Sequence, residues 1–358
     1  MGAPADHAEA VAALGTDMDL RAGVMAGRRP RTYTWPMNDF VQERHAAYTT
    51  PPPELAAIVA RVTRSRVVRL EKIARGYDCE VYQVAVQDGE QLIIRIRRYG
   101  DLPVEDEAWA IAQARRAGAP VPDVLLCGRC WIDGKEREVM VQRAVPGRSL
   151  EVQHGSLSED QLRSCFVQAA AALAKIHSVW VDGFYMRRQG VWDFASWEAI
   201  AAANLRDRTA ERAAVRTAGF TDAEITALLG TLDRLQRAFP WPDPVLIHGD
   251  YTPEHLFFDA TPTLTGIIDF GQAQGGAPMI DLDNLLMSTD GWGVPEAVRL
   301  VWLREGYGRA PLWEHFAERR LMHAIGFTIG SLSHHVAIGD TASVAVYAGR
   351  LRGLVGMT

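Results

Sequence analysis

The chain has no apolar run as long as a membrane span, so no transmembrane helix is expected. It has no basic excess. Against 44 Asp and Glu stand 38 Lys and Arg, a net charge of −6 and a pI near 6.0, which argues against a nucleic-acid binder. Cysteine is scarce, with four in 358 residues. Cys127-Gly-Arg-Cys130 is a CxxC with neither a second pair nor a nearby histidine, so a strand and tight turn is expected there rather than a zinc site. His334 and His335 are adjacent, which is not metal spacing on a helix, where positions i and i+4 share a face; packing or capping is expected of them. The first residues, MGAPADHAEA, lack the basic start and apolar stretch of a secretory signal, and a cytoplasmic location is the expectation. No repeat or low-complexity tract is present. With 48% hydrophobic and 23% charged residues, the composition is that of an ordinary soluble protein long enough for two lobes.

What is present is concentrated in residues 248–283, HGDYTPEHLFFDATPTLTGIIDFGQAQGGAPMIDLD. Asp250 follows His-Gly, His255 lies five residues on, and Asp269 opens Asp-Phe-Gly. Phosphoryl transfer from a nucleotide needs one carboxylate to orient the attacking hydroxyl and further ligands to hold Mg²⁺ against the phosphates. Leu256–Phe258 reads as a short apolar strand, residues 259–263 as a turn and residues 264–268 as a second strand. A hairpin centred near Pro262 sets position 255 opposite position 269, beside the Asp250 loop.

The segment resembles the catalytic segment of the aminoglycoside phosphotransferase family, which is similar to choline kinases and, more distantly, to protein kinases. The likeness runs from about Val67 to the C-terminus. It is carried by His248-Gly249-Asp250, Ile268-Asp269-Phe270-Gly271 and Asp281-Leu282. It implies an α+β, bilobal, protein-kinase-like fold. A small β-rich N-terminal lobe would sit over a larger helical C-terminal lobe, with ATP or GTP between them. It implies Asp250 as catalytic base, Asp269 as main Mg²⁺ ligand, and Asp281 as the buried aspartate that braces the catalytic loop. His255 departs from the family's usual Asn, and Ala277 from the Asp of a Gly-Asp-Pro triplet. Mg²⁺ prefers oxygen, so the expectation for His255 is to bind the metal weakly, through water or not at all.

Three segments are expected: an N-terminal extension over residues 1–60, a small nucleotide-binding lobe over 61–145, and a helical catalytic and substrate lobe over 146–358. In the extension, residues 8–26 read as a helix broken at Gly15, residues 28–36 as a basic, proline-bearing stretch, and Thr49 to Pro53 as a stiff linker. Gly76 sits in a turn before alternating apolar residues, where kinases cover the phosphates with backbone N–H groups. In Gln91–Arg97, period two puts Leu92, Ile94 and Ile96 on one face and Ile93, Arg95 and Arg97 on the other. The resemblance assigns Arg95 to the α- and β-phosphates, which its planar fork suits. A helix is expected from Asp101, as cap, through Pro103 in its first turn to Gly118. Glu107 on that helix would pair with Arg95. Gln142, Arg143 and Ala144 form the expected hinge, holding the nucleotide base through main-chain atoms. Helices are expected over residues 161–177, 192–205, 222–239, 295–305 and 313–333. Asp283, Asp290 and Glu305 are candidates to line a site for a cationic substrate.

The expectation is therefore an ATP- or GTP-dependent O-phosphotransferase. It would act on a hydroxyl of a small molecule, by resemblance an antibiotic, with no nucleic-acid or membrane partner and an oligomeric state the residues leave open. The alternative is a nucleotide-binding regulatory protein with degenerate catalysis, to which His255 and Ala277 lend support. A protein kinase ranks below both, because the Ala-Pro-Glu segment and a long activation loop after Asp269-Phe-Gly are missing.

Overall fold

The computed structural model describes residues 45–74, 78–99, 103–206, 208–241, 243–308 and 313–356. The expected helix over 8–26, the basic stretch over 28–36, Gly76 and the Asp101 cap lie outside these residues.

The fold is mixed α+β, with a β-sheet N-terminal region and a helical C-terminal region. Strands β1 (Val67–Ile73), β2 (Cys79–Val86), β3 (Gln91–Arg97), β4 (Val124–Ile132) and β5 (Lys135–Arg143) form one antiparallel sheet in the order β1-β2-β3-β5-β4. Side chains alternate across a pleated strand, so each strand feeds two environments. Tyr82, Val84, Val86, Leu92, Ile94 and Ile96 are buried on one face, beneath Leu55, Ile58 and Val59 of helix α1 (Pro52–Val59). Each such burial contributes roughly 1.5–3 kcal/mol. The alternate positions of β3 carry Arg95 and Arg97.

Helix α2 (Val104–Arg116) follows. It has Glu105, Asp106 and Glu107 in its first turn and Arg115 and Arg116 in its last, the order that complements the helix dipole. Pro103 is its N-cap in extended conformation and not an early helical residue, and the chain leaves the helix at Gly118, where φ is +85°.

The C-terminal region begins with β6 (Arg148–Ser149) and the short α3 (Leu150–Gln153), then α4 (Glu159–Ile176), which starts at a Ser158–Gln161 capping box. The helix expected over 192–205 is divided. Val191–Phe194 is strand β8, paired with β7 (Phe184–Arg188), and α5 starts at Trp197 (Trp197–Arg206). Gln189 and Gly190, with φ of +51° and +86°, make the turn that the helical reading overlooked. Helices α6 (Thr209–Thr217) and α7 (Asp222–Ala238) come next. Strand β9 (Val245–Ile247), the β10 (Leu256–Phe258) and β11 (Leu264–Ile267) hairpin, and β12 (Gln274–Gly276) carry the chain through the motif segment to α8 (Met279–Ser288) and α9 (Glu296–Tyr307). Helices α10 (Phe316–Ile338) and α11 (Thr341–Leu354) end the fold.

The chain divides into two compact units. Thr32–Ile200 with Pro240–Phe316 holds the sheets and the motif segment, and Ala201–Phe239 with Ala317–Thr358 falls in the other. In the first, Phe166, Leu173, Leu246, Tyr251, Phe270, Leu282 and Leu303 belong to one apolar core under the motif segment. Cys127 and Cys130 lie on β4 opposite Met140 and Arg137, and burial pushes the Cys127 thiol up to about 12. Among the described residues no helix is long and apolar enough to cross a membrane, and no group of three or more His, Cys, Asp and Glu could hold a metal ion.

Candidate active site

Asp281, in the first turn of α8, is fully buried and accepts from the His248 amide at 2.7 Å, the Gly249 amide at 2.8 Å and His177 Nε2 at 3.0 Å. Burial disfavours its charge, but His177 and the loop donors outweigh that and hold the carboxyl below its usual range. Gly249 turns with φ of +82°, and a Cβ there would collide with the Gln272 carbonyl. Asn284, one helical turn beyond Asp281, donates to the Gly249 carbonyl at 3.1 Å. The loop after β9 is thus fixed from below by α8. His248 is buried, which pushes its imidazole below the ordinary range. In that neutral form Nε2–H donates to the Ile268 carbonyl at 2.9 Å and Nδ1 accepts from the Asp250 amide at 3.2 Å. Both ring nitrogens are spent on holding the loop.

The hairpin runs in a different register from the one expected. Leu256 faces Ile267 and Phe258 faces Leu264, with an irregularity at Phe257, so His255 meets Ile268 rather than Asp269. The Ile268 amide donates to the His255 carbonyl at 3.0 Å. Asp269 reaches the same end by another device. It adopts the left-handed conformation, φ +64° and ψ +65°, which few non-glycine residues take. Its carboxylate then lies 3.7 Å from His255 Nε2, while His255 Nδ1 donates to the Asp250 carbonyl at 2.9 Å and lies 3.6 Å from the Asp250 carboxylate. The two carboxylate side chains are each 44% exposed, unlike Asp281. Burial works against charge on His255, but Asp250 and Asp269 raise it above the usual imidazole value.

Arg95 approaches from the sheet. It bonds Glu107 of α2 through Nη1 and Asp269 through Nη2 at 2.9 Å. Against the cost of burial, Arg95 first and then His255 and the Gly271 amide hold the Asp269 carboxyl down to about 2. Glu107 is 5% exposed, and its Oε2 is buried with no hydrogen-bond partner. Five of the residues singled out in the sequence, Asp250, His255, Asp269, Arg95 and Glu107, therefore form one chain of contacts. Gln142, Arg143 and Ala144 lie apart from it, at the end of β5. Gln142 Nε2 lies 3.0 Å from Met140 Sδ, while the Arg143 and Ala144 amides donate to the Asp123 and Gln91 carbonyls. The acidic residues considered for a cationic substrate are engaged or enclosed: Asp290 pairs with Arg299, Glu305 pairs with Arg163, and Asp283 is fully buried. The sequence reading missed Asn284, although its spacing of one helical turn from Asp281 was visible.

The described side chains alone form no three-ligand metal group, so a Mg²⁺ ion here would rest on phosphate oxygens and water as well as on protein. Mg²⁺ binds through one or two protein ligands and completes its shell with phosphate oxygens and water. Asp269, ionised and exposed, would be the principal ligand, and the imidazole Nε2 of His255 faces the same space.

A family model described as the phosphotransferase enzyme family (APH) matches residues 69–321, which include every described residue of the contact chain. No curated protein matches the sequence. Among solved structures, the fold is similar to a thermostable mutant of aminoglycoside phosphotransferase APH(4)-Ia in ternary complex with ADP and hygromycin B. That pair is 18% identical, with a TM-score of 0.63 and coverage of 84% of this chain and 97% of that one. It is also similar to the gentamicin complex of APH(2″)-IIa, at 14% identity, TM-score 0.61, and coverage of 87% and 100%. A third likeness is to the macrolide 2′-phosphotransferase MphH of Brachybacterium faecium, at 19% identity, TM-score 0.51, and coverage of 83% and 96%. With the family model spanning most of the sequence over the motif loop, the hairpin and the Arg95 strand, the chain belongs to the phosphotransferase enzyme family.

Proposed function

We propose that this small-molecule kinase transfers the terminal phosphoryl group of ATP or GTP to a hydroxyl of an antibiotic. The observation that carries the reading is the meeting of two open carboxylates, Asp250 and Asp269, on either side of His255, with Arg95 bonded to one of them. Residues 61–145 would bind the nucleotide and residues 146–358 would supply catalysis and acceptor binding, with residues 1–60 an extension. Support for a nucleotide and for this acceptor class comes from the solved relatives, whose names include ADP, hygromycin B, gentamicin and a macrolide 2′-phosphotransferase activity. A nucleotide-dependent reaction also favours a cytoplasmic setting.

In this reading Asp250 accepts a hydrogen bond from the acceptor hydroxyl, orients it and takes its proton as the new bond forms. Arg95 exchanges its contact with Asp269 for the α- and β-phosphates, while Glu107 keeps the guanidinium in place. Mg²⁺, when bound, neutralises charge on the phosphate oxygens. The Arg143 and Ala144 amides are already bonded to the Asp123 and Gln91 carbonyls, so a base held at this hinge would use other main-chain atoms. The degenerate regulatory alternative finds no support in the site.

The test is nucleotide consumption over a panel of aminoglycosides, macrolides, nucleoside antibiotics and small hydroxylated metabolites. Acceptor-dependent turnover that vanishes in Asp269→Ala is expected. Turnover with none of the antibiotics but with a metabolite would overturn the antibiotic assignment. Acceptor-dependent turnover that survives Asp269→Ala would remove Asp269 from the site.

A further inference from the structure

The hairpin of β7 and β8 grips helix α2, and this contact has no place in the motif logic. Asp106 of α2, whose side chain is 11% exposed, takes three donors from it. Arg187 Nη1 lies at 2.5 Å, the Gln189 amide at 2.6 Å and the Gly190 amide at 3.2 Å. The Gln189 and Gly190 amides converge because both residues have positive φ. The Arg187 guanidinium also lies 4.4 Å over the ring of Trp109, one helical turn along α2, and Trp109 meets Trp192 of the hairpin edge to face at 5.8 Å. The hairpin is itself anchored: β7 pairs with β12, which directly follows the Asp269 turn.

These contacts close a mechanical loop. Asp269 bonds Arg95, Arg95 bonds Glu107, and Glu107 stands beside Asp106 on α2. Asp106 bonds the hairpin, and the hairpin leads through β12 back to Asp269. Adjacent helical residues point about 100° apart, so Asp106 itself does not share Glu107's contact with Arg95. It sets the rotation and position of the helix that presents Glu107.

We propose that Asp106 is a positioning residue for the nucleotide. By pinning α2 to the hairpin turn, it holds Glu107 where Glu107 can aim Arg95 at the phosphates. The proposal rests on the phosphate-binding reading of Arg95. Its test is Mg-ATP and Mg-GTP affinity by calorimetry, with hydrogen exchange of the α2 amides and thermal unfolding, for wild type, Asp106→Ala, Asp106→Asn and Arg187→Ala. Asp106→Ala should weaken nucleotide binding about ten-fold, the loss of roughly one charge-assisted hydrogen bond, and should speed exchange in α2. Asp106→Asn keeps an acceptor oxygen for the turn amides and should recover part of the affinity. Arg187→Ala, which leaves the two amide bonds intact, should fold and lose less. In Glu107→Gln, adding Asp106→Ala should weaken binding no further, since both act through one guanidinium. If wild type binds neither nucleotide, the nucleotide reading falls and the proposal with it. Should wild type bind while Asp106→Ala and Arg187→Ala bind equally well, or should the losses with Glu107→Gln simply add, the positioning role alone is overturned.

Discussion

Two ion clusters occupy opposite faces of one sheet, and they are built to opposite ends. On the face packed against α1, Glu80 is 2% exposed. It takes bonds from Arg98 Nε and Nη2, the Thr50 amide and hydroxyl, and the Tyr82 hydroxyl, all at 2.9 Å or less. Both of its oxygens are satisfied. On the other face Arg95 joins Glu107 to an Asp269 that stays 44% exposed, and Glu107 keeps one buried oxygen without a partner. A closed cluster of this kind holds Thr50, and so the segment leading into α1, against the sheet. The open one keeps exchangeable contacts. Removing one partner of a buried ion pair is costly because the other charge is stranded, whereas a half-exposed carboxylate can trade one cation for another.

The largest effect expected from breaking this contrast falls on the open side. Asp250→Asn keeps the shape and removes the charge, so kcat should drop about 10²–10⁴-fold, with nucleotide affinity and thermal unfolding close to wild type. Steady-state kinetics on the first acceptor found would show it, and near-normal kcat would remove Asp250 from its assigned task. On the closed side, Glu80→Gln should destabilise by about 3 kcal/mol, because the buried Arg98 charge loses its main partner, while nucleotide binding stays intact. Urea unfolding followed by calorimetry on the folded fraction separates the two outcomes.

The closed cluster also predicts a pH dependence. Burial opposes charge on Glu80, but its hydrogen bonds from Tyr82, Arg98 and Thr50 lower it from the usual 4.5 to about 2. A depressed carboxyl contributes stability that is fully present above its unfolded value and is lost as pH falls through the folded one. Wild type should therefore lose stability more steeply than Glu80→Gln between pH 4.5 and about 2. Parallel curves would show that the cluster adds nothing in acid. The smallest effect is expected at His255→Asn, which offers Mg²⁺ an oxygen in place of nitrogen and should remain active. A folded but inactive variant would show that the imidazole has a task of its own.

Much of the open cluster was legible in the residues, and little of the closed one was. Period two placed Arg95 opposite the apolar face of β3, and short-range spacing brought His255 and Asp269 to one end of a hairpin. The pairing itself was misjudged by one position. A bulge and a left-handed aspartate cannot be read from apolar spacing, yet they leave the two side chains near each other. The strand at Val191–Phe194 was lost in the same way, to a turn whose positive φ at Gln189 has no strong sequence signal.

The sequence by itself determined the family, the motif loop and the alternation that gives each strand of the sheet two environments, because these depend on residues a few positions apart. Tertiary structure alone decided which charges meet: Arg95 with Asp269 across 174 positions, Asp281 with His177 across 104, and Asp106 with the hairpin turn across more than 80. An ion's partner at such a distance is chosen by how whole elements pack against their shared cores, and no local period or propensity carries that information.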